Sequence, residues 1–218
     1  MIEWLDPEVA PHFPDTRTAL LEPSGLLAAG GQLSVDWLLA AYRQGIFPWF
    51  GENEPVLWWS PAPRTVLYPG NFHTSKSLNK LLRQNRYRIG FDENFEAVIS
   101  ACAETRTGQS GTWINPQMID AYSAMHHAGF AHSVECYLDE QLVGGLYGIA
   151  LGKVFFGESM FSREPNTSKL CLHHLAGCGN YELIDCQLPT EHLKSLGATE
   201  ISREKFENAL HRWTKIHQ

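Results

Sequence analysis

Three apolar segments in the second half of the chain most constrain its fold. They read "AHSVECYL" from residue 131, "LVGGLYGIAL" from residue 142 and "VFFGESMFS" from residue 154. Only "DEQ" and "GK" separate them, and connections of two or three residues are typical of β-hairpins. The spacing therefore predicts three consecutive antiparallel strands.

Helical patterns flank these strands, and two shorter strand patterns, "YELIDCQ" and "ATEI", alternate with the last three helices. This order predicts an α+β fold with a mixed sheet. Earlier in the chain, Ser34, Asp92 and Asn115 are each expected to cap a helix. The proline-punctuated stretch "SPAPRTVLYPG" reads as an extended connector. It suggests a boundary between a small N-terminal domain, residues 1–62, and a larger domain, residues 63–218.

The composition narrows the class of protein. The chain of 218 residues is 44% hydrophobic, which is sufficient for a sizeable core. Its N-terminus lacks the basic start and apolar run of a signal peptide, and its longest weakly polar run, "LVGGLYGIALG", is too short to span a membrane. Five cysteines form no CxxC pair and the paired histidines lack metal-ligand spacing. We therefore expect a cytoplasmic protein with reduced thiols and no metal.

Positive charge is concentrated in one segment of an acidic chain. The net charge is −7, yet residues 55–91 contain six Lys or Arg and no Asp or Glu. In the helix predicted for "TSKSLNKLLRQN", three of these cations, Lys76, Lys80 and Arg83, fall on one face. Such a stripe is typical of a surface that binds a polyanion. The alternative is an ordinary solvated helix face.

An unusual aromatic segment, "IFPWFGENEPVLWWSP", precedes the basic one. Five of the thirteen residues 47–59 are Phe or Trp. Two prolines and an Asn interrupt any regular helix or strand. The rings are therefore either a packed corner of the core or a surface on which something flat can stack.

Two strand segments carry polar side chains suited to a pocket. In "GESMFS", Glu158, Met160 and Ser162 share a face if the strand alternates regularly. In "LIDCQ", Asp185 and Gln187 share a face at the carboxyl end of a strand, where mixed sheets place ligands. The alternatives are a solvated Glu on an edge strand and a structural Asp that caps the following helix. Cys186 falls on the opposite face from Asp185 and is interpreted as apolar filler.

Taken together, these segments resemble the leucyl/phenylalanyl-tRNA–protein transferases. The resemblance rests on "EPSGLLAAGGQL", "AYRQGIFPWF", "LWWSPAPRTVL", "TWI", "AHSVE", "LVGGLYG", "GESMFSREPNTSK", "LIDCQ" and "HLKSLGA", in this order from Glu22 to Ala198. "GIFPWF" and "GESMFS" are its most specific parts. One departure is Thr167, where the family pattern has Ala.

The resemblance implies a small N-terminal domain on a C-terminal acetyltransferase-like (GNAT) domain. It implies transfer of Leu, Phe or Met from aminoacyl-tRNA to the α-amine of proteins that begin with Arg or Lys. The product is an N-degron that marks the acceptor for degradation. The family uses neither metal nor acyl-CoA and needs no membrane, and we expect a monomer that acts without a cofactor.

The resemblance also implies roles for individual residues. Asp185 and Gln187 are the catalytic pair: Gln187 would hydrogen-bond the amine or the ester, while Asp185 would either orient Gln187 or accept the proton itself. Trp58 and Trp59 are assigned to packing between the domains. The remaining sets are an aminoacyl pocket of Leu146, Gly157, Met160, Leu172 and Ile184 with Glu158 at its rim, an adenosine platform of Trp49, Trp113 and Tyr122, and tRNA phosphate contacts from Lys76, Lys80, Arg83 and Arg86.

Two alternatives to this function stay open on the sequence. One is an acyl-CoA-dependent N-acyltransferase of the same fold, which would require a glycine-rich pyrophosphate loop where this chain has "SREPNTSK", without glycine. The other is a non-catalytic module that binds tRNA or a degron.

Overall fold

The structure, a computed structural model, describes residues 2–104 and 114–215. It confirms the predicted α+β class, with helices packed on a mixed sheet. The helices are α1 (Val35–Tyr42), α2 (Lys76–Gln84), α3 (Phe95–Ala103), α4 (Pro116–His127), α5 (Thr167–Gly177), α6 (Glu191–Ser195) and α7 (Arg203–Trp213).

Two sheets are present in the described residues. The smaller contains β1 (Glu3–Leu5), β2 (Leu26–Gly30), β3 (Phe47–Pro48) and β4 (Leu57–Trp59), in the order β1-β2-β4-β3. The larger has the order β11-β5-β10-β9-β8-β7-β6. Its strands are β5 (Arg64–Leu67), β6 (Arg88–Phe91), β7 (Ala131–Leu138), β8 (Gln141–Leu151), β9 (Val154–Ser162), β10 (Leu183–Gln187) and β11 (Thr199–Ile201).

The three central strands confirm the predicted meander. β7 pairs antiparallel with β8, and β8 pairs antiparallel with β9. The chain then crosses through α5 and returns as β10, parallel to β9. β10 pairs antiparallel with β5 on its other side, so the sheet is mixed and the carboxyl ends of β9 and β10 point the same way.

The interpretation of "SPAPRTVLYPG" as a connector is only partly correct. Residues 64–67 of "SPAPRTVLYPG" form β5, which is buried along its whole length between β11 and β10. The sequence pattern concealed this short strand because prolines flank it and because its first residue, Arg64, is of a type that is normally exposed. The strands of the two sheets separate between Trp59 and Arg64, and the division into domains at residues 62 and 63 stays a prediction.

Ser34 occupies the N-cap position of α1, as predicted, although its side chain makes no capping hydrogen bond. Asn115 caps α4 through the backbone N–H of Met118, as expected. The predicted cap of α3 is wrong: Asn94, not Asp92, accepts the N–H of Ala97. Asp92 instead accepts hydrogen bonds from His132 and from the backbone of Ser133, which tie the turn after β6 to β7.

A β-bulge in β9 contradicts the face predicted for Glu158. Tyr147 of β8 lies opposite Ser159, but its neighbour Gly148 lies opposite Gly157, so Glu158 has no cross-strand partner. Regular alternation is therefore broken at this residue. Met160 packs against one core cluster, whereas the Glu158 carboxylate hydrogen-bonds to tyrosines of the other.

Two hydrophobic clusters cover the two faces of the larger sheet. Adjacent residues of β9 show the division, because Phe155 belongs to one cluster and Phe156 to the other. The larger cluster joins residues of the smaller sheet and α1 with residues of α3, α4 and α7. Across the described ranges, every helix is too short or too polar to cross a bilayer.

Candidate active site

An apolar cavity of about 140 Å³ opens beside the carboxyl ends of β9 and β10. All six residues predicted for the aminoacyl pocket line it, together with Asp185 and Gln187. Helix α5 and strands β8, β9 and β10 contribute most of its wall. The sequence reasoning missed six further lining residues: Tyr147, Phe155, Ser159, Leu175, Cys186 and Leu193.

Some of these missed residues could have been found. Leu175 lies three positions after Leu172 on α5, and residues at that spacing share a helix face. Leu193 is on α6, whose position over the cavity no local pattern indicates. The lining of the pocket is therefore only partly encoded in sequence spacing.

A second cavity of about 240 Å³ adjoins the first. Phe47, Pro48 and Trp49 from the aromatic segment form one wall, and Leu188 lies on the other. Two residues, Glu158 and Gln187, line both cavities. A molecule in one cavity and a molecule in the other would therefore meet at these two side chains.

Asp185 is fully buried and held by an arginine. Its Oδ1 accepts from Arg64 Nε at 2.8 Å and its Oδ2 from Arg64 Nη2 at 2.7 Å, so the pair is bidentate. Oδ1 also accepts the backbone N–H of Gln187 at 3.0 Å. With both oxygens bonded and no exposed surface, Asp185 is arranged to orient its neighbours.

Gln187 adopts a backbone conformation that non-glycine residues seldom take. Its φ is +63°, in the left-handed region, and the pairing of β10 with β5 shifts register between Asp185 and Gln187. Such positions cost on the order of 1–3 kcal/mol and persist where surrounding contacts hold them. The side-chain Nε2 donates to Glu158 Oε1 at 2.9 Å. Within the described residues, Gln187 Oε1 accepts no hydrogen bond, so this carbonyl can receive one from a substrate.

Glu158 is enclosed by two tyrosines. Tyr42 donates to Oε1 at 2.7 Å and Tyr122 to Oε2 at 3.0 Å, and the two hydroxyls also contact each other. Burial raises the pKa of the Glu158 carboxyl to about 7, although the two tyrosine hydrogen bonds act to lower it. The carboxyl therefore changes charge near neutral pH.

The predicted adenosine platform needs correction at Tyr122. The ring of Tyr122 is fully buried, packs edge-on against Tyr147 and cannot offer a face to a base. Trp113 lies outside the described residues. Trp49 is 43% exposed beside the second cavity and retains a free surface for stacking.

The aromatic segment is therefore mostly core. Phe47, Phe50 and Trp58 are buried, and Trp58 Nε1 donates to the carbonyl of Gly30 within the smaller sheet. Trp59 Nε1 donates to the carbonyl of Trp49 at 2.6 Å. This contact fixes the loop that carries the exposed ring.

The predicted phosphate contacts lie on the surface. Lys76, Lys80, Arg83 and Arg86 are all exposed, while Leu78 on the opposite face of α2 is buried. Arg86 lies 4.0 Å from Glu164. The nearby Arg88, part of the same basic segment, is paired with Glu93 at 2.7 Å, so that cation is partly neutralised.

Two other residues behave as packing elements. Burial raises the pKa of the Cys186 thiol to about 12, so the thiol stays protonated and is suited to apolar packing beside the cavity. Thr167, the departure from the family pattern, is buried, and its hydroxyl lies 2.9 Å from the carbonyl of Val143 and 2.8 Å from that of Glu164. The hydroxyl therefore ties the start of α5 to β8.

Comparison with known proteins gives the family. Its sequence model, described as "Leucyl/phenylalanyl-tRNA protein transferase", matches residues 66–211, and the model of the family's N-terminal domain matches residues 31–62. The leucyl/phenylalanyl-tRNA–protein transferase of Pseudomonas fluorescens (strain Pf0-1) is 55% identical over 97% of this chain and 95% of its own length. That of Azoarcus sp. (strain BH72) is 54% identical over 98% and 92%.

Among solved structures, a GCN5-related N-acetyltransferase from Kribbella flavida matches with a TM-score of 0.37 and 13% identity, over 75% of this chain and 60% of that one. The two family models together span most of the chain, and the relatives align with it almost from end to end. The protein described here is thus an enzyme of the leucyl/phenylalanyl-tRNA–protein transferase family.

Proposed function

We propose that this enzyme transfers Leu, Phe or Met from aminoacyl-tRNA to the α-amine of proteins that begin with Arg or Lys, in the cytoplasm. The product would be an N-degron. The names of its relatives support transfer of an amino acid to protein. The observation that carries the proposal is that the apolar cavity and the cavity beside Trp49 share Glu158 and Gln187.

The apolar cavity is proposed to take the aminoacyl side chain. Its wall is formed mainly by aliphatic and aromatic groups, which favour Leu, Phe and Met and disfavour charged side chains. A hydrophobic pocket separates similar apolar side chains by only about 1–3 kcal/mol. Mixed use of the three amino acids is therefore expected. The terminal adenosine would stack on Trp49, a contact that contributes about 1–3 kcal/mol.

The reaction converts an ester into an amide. The acceptor nitrogen attacks the ester carbonyl, a C–N bond forms, and the ester C–O bond breaks. The nitrogen loses a proton and the departing ribose oxygen gains one. No redox partner is needed. Holding the amine and ester together could supply roughly 7–11 kcal/mol of the barrier.

Gln187 is proposed to bind the attacking amine through its free carbonyl oxygen. The side-chain Nε2 of Gln187 already donates to Glu158, so the amide cannot rotate without losing that hydrogen bond. Asp185, bonded on both oxygens, fits the orienting role better than the role of base. The ionised Glu158 would attract the cationic acceptor or take its proton at neutral pH.

The exposed cations of α2 are proposed to contact tRNA phosphates. Such contacts position the nucleic acid without reading its sequence. Release of counterions makes affinity of this kind fall steeply with salt.

A labelled-transfer assay tests the proposal. The enzyme is incubated with radiolabelled Leu-tRNA and with otherwise identical acceptor proteins that begin with Arg, Lys or Ser. We expect acid-stable, RNase-resistant label only on the first two. Binding of the tRNA without transfer would favour the non-catalytic module, and acetylation of the acceptor by acetyl-coenzyme A would favour the acyl-CoA enzyme. Repeating the assay with Phe-tRNA and Met-tRNA ranks the donors.

A further inference from the structure

Arg64 is a buried cation outside both cavities. Its side chain is 1% exposed, and it begins β5, the strand that lies between β11 and β10. A buried charge is costly unless it is paired. Arg64 is paired bidentately with Asp185.

Two aromatic rings also contact the guanidinium of Arg64. The ring of Phe47 lies 4.9 Å from its central carbon and the ring of Phe206 lies 4.7 Å from it. Phe47 belongs to the smaller sheet and Phe206 to α7, the last helix. Three separate parts of the chain therefore meet at Arg64: the aromatic segment, the C-terminal helix and the strand that carries Asp185.

The contacts continue from Arg64 to the meeting point of the cavities. The carboxylate oxygen that accepts from Arg64 Nε also accepts the N–H of Gln187. That hydrogen bond supports the left-handed backbone at Gln187. The Gln187 side chain in turn reaches Glu158. A change in the position of Arg64 would thus be transmitted to Gln187 through a single carboxylate.

We propose that Arg64 is a positioning residue, which fixes Asp185 and so holds Gln187 in the strained conformation that aims its amide at the shared edge of the two cavities. The effect on kcat that this inference predicts rests on the proposed transfer reaction. Arg64 lines neither cavity, so it would act through Asp185 and not on the substrate directly. Its planar fork provides two parallel hydrogen bonds, which a lysine at the same position cannot reproduce.

Arg64→Lys is the test, because it keeps the charge and removes the fork. We expect kcat to fall about 10²-fold, the effect of roughly 1 Å of misplacement, with the KM for aminoacyl-tRNA within about twofold of the unmodified value. NMR hydrogen exchange should show the Gln187 amide exchanging at least about tenfold faster. The amides of Leu183 and Ile184 should stay protected, because the pairing of β10 is intact.

Arg203→Lys is the matched control. Arg203 is another arginine, only partly buried, whose side chain donates to the hydroxyl and the carbonyl of Ser60. It makes no hydrogen bond to Asp185. Arg203→Lys should change neither kcat nor the hydrogen exchange of the Gln187 amide. If this control alters Gln187 as much as Arg64→Lys does, the effect is a general loosening and the inference is wrong.

Phe206→Leu provides a second, milder variant should Arg64→Lys fail to fold. It removes one ring from the guanidinium and lies away from both cavities. We expect a loss in kcat of up to about thirtyfold, the size of a buried cation–π contact, with faster exchange at Gln187. Normal exchange at Gln187 in both variants, or an unchanged kcat in both, would overturn the inference. If the unmodified enzyme transfers nothing, the proposed function fails, and the exchange measurement alone decides the role of Arg64.

Discussion

Glu158 and Asp185 are two carboxylates of one site with opposite surroundings. Asp185 is bonded to an arginine on both oxygens. Glu158 has only neutral donors, and burial raises its pKa to about 7. Environments of this kind separate the roles of two acids. Asp185 is suited to orient its neighbours, whereas Glu158 is suited to change charge during the reaction.

The orienting role of Asp185 predicts strong coupling to Gln187. If Asp185 acts only through Gln187, Asp185→Asn should lower kcat in the unmodified enzyme but add little to Gln187→Ala. A double-mutant cycle on kcat measures this directly. Asp120→Asn, on the exposed side of α4, is the control and should have no effect. Equal losses in both backgrounds would instead identify Asp185 as the base.

The pKa of Glu158 predicts a pH profile with two steps. With the ionised carboxylate as the proposed active form, kcat/KM should rise as pH increases through about 7. It should rise again as the acceptor amine, with a pKa of about 7.7–8.0, loses its proton. Glu158→Gln should lower the rate about 10²-fold and leave only the amine step. Glu182→Gln, an exposed carboxylate beside Lys153, should keep both steps, and persistence of the lower step in Glu158→Gln would refute the assignment.

The positions of residues were predictable where a pattern is local. The sequence placed Asp185 and Gln187 at the end of a strand, and both lie beside the cavity, although a register shift and the positive φ of Gln187 break the regular alternation from which their shared face was predicted. Arg64 was not found, because a charged residue among prolines reads as exposed connector. Nor could the sequence reveal that Tyr122 is buried, since its burial depends on contacts with Tyr147 and Glu158.

Helix α2 separates an apolar face from a charged one. Leu78 lies on the buried face of the helix, and the cations of the opposite face are exposed. The pattern was readable from the sequence because helical periodicity is local. By contrast, β5 and β6 were missed as strands, since each has only four residues and depends on long-range pairing.

The stripe on α2 predicts a change in salt dependence. Lys80→Gln should weaken tRNA binding and reduce the slope of log affinity against log salt by about one, because one phosphate contact is lost. The kcat at saturating tRNA should not change. Lys205→Gln, on the exposed face of α7, serves as the control with an unaltered slope. An unchanged slope for Lys80→Gln would place the tRNA elsewhere.

The turn after β6 predicts a pH dependence of stability. The hydrogen bond to Asp92 raises the pKa of His132, although burial opposes this. Burial acts to raise the pKa of Asp92, but its hydrogen bonds from His132 and Ser133 lower it overall. The His132 contribution is complete below its unfolded pKa of 6.5 and is lost as pH rises through the raised value. The Asp92 contribution is present above 3.8 and is lost as pH falls through the lowered value.

Asp92→Asn tests this pair. The difference in unfolding free energy from the unmodified protein should be largest between pH 3.8 and 6.5 and should shrink as pH rises above that window. Denaturant titrations across pH measure it. Asp139→Asn is the matched control, because Asp139 has a similar left-handed backbone and is exposed. A difference that does not vary with pH would exclude the pair as its cause.

At the scale of the whole molecule, the two sheets share one hydrophobic core. The larger cluster contains Leu5 and Trp37 from the N-terminal part together with Phe95, Tyr147 and Phe206. The sequence could suggest two parts, since prolines mark the junction, but it could not show that their side chains pack into one cluster. Long-range packing of this kind has no local pattern.

The shared core predicts cooperative unfolding. Tryptophan fluorescence reports mainly on the N-terminal part, where Trp4, Trp37, Trp49, Trp58 and Trp59 are located, whereas far-UV circular dichroism reports on all the helices. We expect the two denaturant transitions to coincide, as for a single cooperative unit. Transitions with separate midpoints would show that the two parts unfold independently.

The bulge in β9 has a consequence for how this sheet is encoded. Pairing with β8 resumes on either side of Glu158, so a gene that lacked this one codon would specify a ladder without interruption. An extra residue leaves its own backbone groups without ladder partners and bends the strand. The bulge thus places the Glu158 carboxylate at the shared edge of the two cavities, where a regular strand would have continued its ladder.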